Sequence, residues 1–303
     1  MSASSHIILH DRGLLKVSGD DALNFLQGLV TNDVSKVNSE CALYSAMLSP
    51  QGKYLYDFFI AQLNGELILD CEASRLEDFK RKLNMYKLRS KVQLTDINRD
   101  FIVSAFFGES VAETLQLNKT KGLVKPFLGG VAFIDPRITS IGGRAIIPRD
   151  NARDKITKAG FSAGDPEEYE SLRLCLGLPD GSRDMLIDKA ILLENGFQEL
   201  NGIDWEKGCY MGQELTARTH YRGLIKKRLM PVQIEGPLPA PGTAIMLGEK
   251  NVGEMRSGNA DWGLALIRLE QYKIVSESGE DFNAEGTTLR PVKPGWAEFK
   301  FKP

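Results

Sequence analysis

The densest concentration of reactive residue types runs Asp204-Trp-Glu-Lys-Gly-Cys-Tyr-Met-Gly-Gln-Glu-Leu-Thr-Ala-Arg-Thr-His-Tyr-Arg222. Gly208 and Gly212 bracket Cys209 and leave backbone free to approach a ligand. From Gln213 onward, Glu214, Arg218 and Tyr221 recur at helical spacing, so a short helix is expected there. A thiol just before a helix N-terminus and beside Lys207 would have a larger thiolate fraction, and the thiolate is the nucleophile and the metal ligand. The alternative for Cys209 is a small buried hydrophobe, a common fate of free cysteine. Cys41, Cys71 and Cys175 fall in apolar element patterns and read as packing residues.

Other chemistries are poorly represented. Only three histidines are present, His6, His10 and His220, too few for a His-based metal centre, and no metal site is expected. Gly-rich nucleotide loops, His-Glu-x-x-His and Gly-x-Ser-x-Gly are absent from the sequence. A Cys209/His220 hydrolase pair, eleven residues apart, has little specificity. The cysteines form no Cys-x-x-Cys, which fits a reducing compartment rather than a disulfide framework.

The elements that must position Cys209 follow from punctuation and period. Strands are expected at Leu14–Val17, Ala42–Leu48 and Tyr54–Ile60, the last two joined across Ser49-Pro-Gln-Gly52, and again at Glu66–Asp70. Gly19-Asp20 would cap a helix from Asp21 to Gln27, ended by Gly28 in a left-handed conformation. Ser74-x-x-Glu77 reads as a capping box before Leu76, Phe79, Leu83 and Tyr86. A second pass has strands at Phe101–Phe107, Val131–Ile134 and Arg144–Ile147, with helices near 111–117, 151–159 and from Pro166. Hairpins mixed with helices at this rhythm predict an α+β fold, helices on one face of a sheet, occurring twice. From about Leu229 short alternating strands and clustered Pro and Gly predict a small all-β barrel.

The chain has 303 residues, enough for two domains, and a formal net charge of −2, so no global field favours nucleic acid or an anionic membrane. Charge is local instead. Residues 201–230 carry a surplus of three positive charges and residues 75–100 a surplus of four. Such runs are usually solvated helix faces; the other reading is a site for an acidic small molecule or RNA. No apolar stretch approaches the 20 or so residues of a membrane span, and the first residues resemble neither a secretory signal nor an Arg-rich transit peptide. A cytoplasmic protein is expected.

Lys207-Gly-Cys-Tyr-Met-Gly-Gln-Glu214 resembles the signature of the YgfZ family, folate-binding proteins related to the T-protein (aminomethyltransferase) of the glycine cleavage system. The longer run from Lys207 to Val232 is similar to the branch holding that family's mitochondrial iron–sulfur assembly factor. Phe25–Asp33, Leu48–Lys53, Asp135-Pro-Arg137 and Ser171–Leu174 resemble family segments in the same order, so the resemblance spans nearly the whole chain. It implies two interleaved ferredoxin-like units over residues 1–228 and a β-barrel over 229–303. It also implies tetrahydrofolate, or a derivative, as ligand and a role in assembling or repairing four-iron clusters. Iron–sulfur client or assembly proteins are the implied partners, with nucleic acid and membrane unexpected. Cys209 would be the functional thiol, with Lys207, Gly208, Tyr210, Gly212, Gln213 and Glu214 shaping its loop and, together with Arg173, binding the folate.

One departure bears on the chemistry. T-proteins carry Gly-Gly-x-x-Asp-Asp after the hairpin turn, whereas Gly52-Lys-Tyr-Leu-Tyr-Asp57 puts Tyr56 in place of the first Asp. A phenol of pKa about 10 cannot do the proton handling of a carboxylate. Glycine cleavage is therefore disfavoured, and the alternatives to the cluster role are a folate-dependent aminomethyl or methyl transferase and an RNA-binding or RNA-modifying folate protein.

Overall fold

The computed structural model describes residues 4–223 and 225–298. The elements in order are β1 (Ser5–Ile8), β2 (Arg12–Ser18), α1 (Ala22–Gln27), β3 (Leu43–Leu48), β4 (Tyr54–Leu63), β5 (Glu66–Glu72), α2 (Leu76–Lys87), β6 (Gln93–Asp96) and β7 (Phe101–Phe107). Then come α3 (Val111–Thr114), β8 (Val124–Phe127), β9 (Gly130–Ile134), β10 (Gly143–Pro148), α4 (Ala152–Lys158), β11 (Ser162–Ala163), α5 (Pro166–Cys175), α6 (Gly181–Asp184) and α7 (Gln213–Arg222). The last are β12 (Lys227–Glu235), β13 (Ala244–Leu247), β14 (Lys250–Gly258), β15 (Trp262–Arg268), α8 (Leu269–Ser278), β16 (Phe282–Ala284) and β17 (Thr287–Pro291). The described residues pack as two compact units: one from Met1–Pro50, Leu55–Pro166 and Leu200–Gln213, the other from Gln51–Tyr54, Glu167–Glu199 and Glu214–Pro303.

The first unit holds two sheets, ordered β11-β1-β7-β10-β9-β8 and β3-β4-β5-β2-β6. They interleave: β1 joins β7 in one sheet, while β2 to β6 build the other. Alternation along each strand sorts the side chains. Tyr56, Phe58 and Ile60 of β4 join Phe25, Leu26, Phe79 and Leu83 of α1 and α2 in one core. Fully burying a ring such as Phe58 or Phe79 contributes about 1.5–3 kcal/mol. Ile102, Phe106, Ala145 and Ile147 pack on Val111 of α3 and Ile156 of α4 in the other. The opposite sheet faces meet through charge. Asp70 of β5, 0% exposed, accepts from Arg12 Nε at 2.7 Å and from Arg144 Nη2 of β10 at 2.7 Å. Phe59 lies beneath them, with the Arg144 and Arg137 guanidinium carbons 4.1 and 4.9 Å from its ring centre. Burial by itself raises the Asp70 carboxyl, but the two guanidiniums outweigh it and hold it below the usual carboxylate range.

In the second unit, the strands close into the expected barrel, ordered β12-β15-β14-β13-β16-β17. Met230, Val232, Ile245, Val252, Met255, Ala265, Ile267 and Leu289 fill it. The barrel region is not all β, however: α8 interrupts it. Its signal is weak because Ile274 stays exposed while Gln271 is buried, blurring the apolar stripe. Local punctuation also differs from expectation. Gly28 is right-handed at φ −81°, and α1 has no side-chain cap. Ser74 donates to Glu72 rather than capping α2, which a 3-10 turn at Ala73–Arg75 initiates. Cys175 is exposed, whereas Cys71 is buried and its thiol is pushed up to about 12.

Replacing Asp70 by Asn removes the buried carboxylate that faces the Arg12 and Arg144 guanidiniums and should cost about 3–5 kcal/mol in denaturant unfolding. Because the folded carboxyl titrates below its unfolded value of about 3.9, the wild-type advantage is fully present above that pH and is lost as pH falls through the folded pKa. A D70N midpoint equal to wild type at neutral pH refutes this account.

Candidate functional site

The Cys209 loop is laced to the segment that follows α1, so two of the motifs noted in the sequence meet in space. Asp204 starts the lacing. Its Oδ1 accepts from the amides of Glu206 and Lys207 at 2.9 and 3.1 Å, its other oxygen pairs with Lys36, and its own amide donates to Thr31 O at 3.1 Å. Thr31 Oγ1 donates to Gly202 O at 2.6 Å, and Asn32 Nδ2 donates to the carbonyls of Asn201 and Tyr44 at 2.7 and 2.8 Å. Asn201 in turn reaches Pro136 O at 2.9 Å, bringing in the Asp135-Pro-Arg137 segment.

Lys207 is the central fastener. Its Nζ donates to the carbonyls of Gln27, Val30 and Asn32 at 3.0, 2.6 and 2.7 Å, which uses all three ammonium protons. Gln27 ends α1, so the cation also meets the negative end of that helix. Burial pulls Lys207 down to about 8, against the opposing charges of Asp33 and Asp204. Its Nζ lies 5.2 Å from the Tyr210 ring centre. Expected as a charge beside the thiol, Lys207 is instead spent on anchoring the loop.

The second anchor is Met211, whose amide donates to Gly28 O at 3.0 Å and whose side chain packs on the core of α1 and α2. Between the anchors, Gly208 and Cys209 are exposed, and nothing lies within 4 Å of a Cβ built at Gly208. The thiol therefore stands at the crown of a short span pinned at both ends. Tyr210 N donates to Gln213 Oε1 at 3.1 Å, Gly212 takes φ +79°, and Glu214 is exposed. The expected helix is α7.

Arg173, on α5, is not part of this loop's bonding. It is buried, and its five N–H donors meet five acceptors: Glu170 Oε1 and Oε2 at 2.8 Å each, Asp184 at 2.9 Å, Leu178 O at 2.6 Å and Ser257 Oγ at 2.8 Å. No donor is left for a ligand. Tyr56 points into the core of α1 and α2, stacked on Phe79 with its hydroxyl on Asp78, and burial raises it above the ordinary phenol value. Asp57, on the other face of β4, accepts from the buried Tyr44 hydroxyl at 2.8 Å. The sequence reading gave no role to Asp204 or Asn32 within their segments and missed the Asp70 cluster. Asp204, two and three residues before the amides it accepts, carries a local Asx signal; the Asp70 cluster, assembled from distant strands, carries none.

Lys207→Met keeps the stem but leaves three carbonyls without their donor. Hydrogen exchange at the Met211 amide should speed up at least about tenfold while amides of the barrel strands keep their protection. Unchanged Met211 protection would show that the backbone bonds hold the loop without the ammonium.

Residues 9–122 match the family described as GCVT N-terminal domain, and residues 226–299 that of CAF17, C-terminal beta-barrel domain. Over 96% of this chain and 85% of the other, the fold is that of glycine cleavage system aminomethyltransferase T from Bartonella henselae, with a TM-score of 0.75 at 15% identity. The mouse protein named iron–sulfur cluster assembly factor IBA57, mitochondrial, is 34% identical, covering 88% of this chain and 78% of its own. Its homologue from Mycosarcoma maydis is 35% identical, covering 94% and 83%. The human protein is 32% identical, covering 88% and 78%. These relatives are named as mitochondrial, which overturns the cytoplasmic expectation. Scattered cysteines report only a reducing environment, and the interior of a mitochondrion is one as well as the cytosol. No helix among the described residues is long and apolar enough to cross a membrane. With a T-protein-like fold, the barrel domain and relatives of this identity along most of its length, the chain belongs to the IBA57 family of iron–sulfur cluster assembly factors.

Proposed function

We propose that the chain assists the assembly or repair of four-iron clusters, with Cys209 as the thiol that meets the cluster in transit. The observation that supports this most is the exposed sulfur between two anchors, Lys207 and Met211. In that role Cys209 gives up its proton to water and its thiolate replaces one ligand of the delivering protein on an iron; a ligand of the receiving protein then takes that place, and the freed thiolate regains a proton from water. One cysteine cannot own a cluster that takes about four thiolates, so the other ligands come from an assembly or client protein.

Tetrahydrofolate is proposed as a ligand on the strength of the fold. The cations expected to hold it do not fit that task, since the protons of Lys207 and Arg173 are already taken. The proposal therefore gives neither residue a part in binding folate. Glycine cleavage stays disfavoured, because Tyr56 turns its ring into the core and no carboxylate stands at that position.

Cells relying on Cys209→Ala should lose most four-iron enzyme activity while the variant accumulates normally; full activity in those cells would remove the thiol from the mechanism. Anaerobic calorimetry with tetrahydrofolate should give saturable one-to-one binding by wild type and C209A alike. No heat from either would remove folate and leave the cluster role standing.

A further inference from the structure

The outer side of α2 carries two unfavourable features that nothing inside the fold offsets. The inward side is Leu76, Phe79 and Leu83, whereas Met85 is 66% exposed and Leu88, just past the helix end, is 88% exposed. Leu88 also holds φ +45° and ψ −110°, a backbone conformation that favours glycine. A large apolar side chain is thus held out in water by a strained backbone, a combination that marks functional surfaces. The same stretch of chain carries Lys80, Lys82, Lys87, Arg89 and Lys91. Among the described residues Lys80, Lys82, Lys87 and Arg89 have no carboxylate partner, whereas Arg81 pairs with Asp78, and Lys91 lies 3.5 Å from Asp20. Beside Leu88 and Arg89, with Ser90 and Asp21, a surface hollow of about 720 Å³ opens.

We propose that this face docks an acidic amphipathic helix of a partner protein. Met85 on the last turn of α2 and Leu88 just beyond it are exposed apolar side chains that a second helix would cover with its own apolar residues at i and i+3 or i+4. Carboxylates flanking those residues would meet the unpaired lysines and Arg89, which steers encounter and fixes the partner's orientation. RNA fits less well. Tyr86 packs against the core, so no aromatic platform faces outward for bases to stack on, and a phosphate backbone would leave Met85 and Leu88 uncovered. A membrane would need a broader apolar face than two side chains. The docking face involves neither the Cys209 thiol nor folate, so it stands or falls separately from them.

The test uses the full chain and a fluorescent synthetic peptide about five helical turns long, with Leu at i and i+3/i+4 and Glu elsewhere, read by anisotropy. Wild type should bind it saturably, and Leu88→Glu or Met85→Glu should weaken binding at least about tenfold. Arg89→Glu with Lys91→Glu should shift preference to the same peptide built with Lys. Leu88→Gly is decisive: it relieves the backbone and deletes the apolar contact, so the denaturation midpoint should hold or rise while binding drops. The proposal is overturned by no binding to wild type, by unchanged binding in L88E or L88G, or by a lowered midpoint in L88G. Tighter binding of single-stranded RNA or phosphatidylserine vesicles than of the peptide overturns it as well.

Discussion

Asp70 is the charge on which the first unit turns. A carboxylate with no exposed surface survives only if its lost hydration is replaced, and here two guanidiniums from different sheets replace it, Arg12 from β2 and Arg144 from β10. The Phe59 ring beneath them shares the same cations. The outcome is a sheet-to-sheet contact that tolerates little sliding, because each guanidinium makes two directional hydrogen bonds to Asp70 while lying over the Phe59 ring. An apolar contact of equal area would be less particular about register. With the strands fixed in this way, the turn after α1 presents its carbonyls at set places.

Those carbonyls receive the functional loop. Lys207 reaches the carbonyls of Gln27, Val30 and Asn32, Asp204 orders the approach, and Met211 closes the far side. The arrangement separates two tasks that the sequence seemed to merge. The charged and bonded residues hold the loop, and Cys209 is left exposed between them. A pinned loop with an exposed crown can offer one sulfur to a passing partner at little conformational cost, since the ordering entropy is already spent in folding.

Arg173 makes the same point in the second unit. A short sequence match placed it near a ligand, yet its donors are consumed by Glu170, Asp184, Leu178 and Ser257, which join α5 and α6 to β14. Similarity of a short segment transmits the position of a side chain more reliably than its free valence, because free valence depends on neighbours remote in sequence.

Sequence alone determined the element types wherever period was strong: β7 at Phe101–Phe107, the hairpin of β3 and β4, the amphipathic α2 and the barrel strands β12, β14 and β15. It also singled out Cys209 and the α1 turn as segments that matter. It could not supply the caps of α1 and α2, where a weak local side-chain preference of about 1 kcal/mol lost to tertiary packing, nor α8, whose buried Gln271 and exposed Ile274 scramble its stripe. Only the tertiary structure decided what the charged residues do. Whether Lys207 tunes a thiol, holds a ligand or fastens a loop depends on three carbonyls about 175 to 180 residues away in the chain. Composition and spacing encode which groups are present, but hydrogen-bond satisfaction is a property of neighbours in space, and chain folding alone brings those neighbours together.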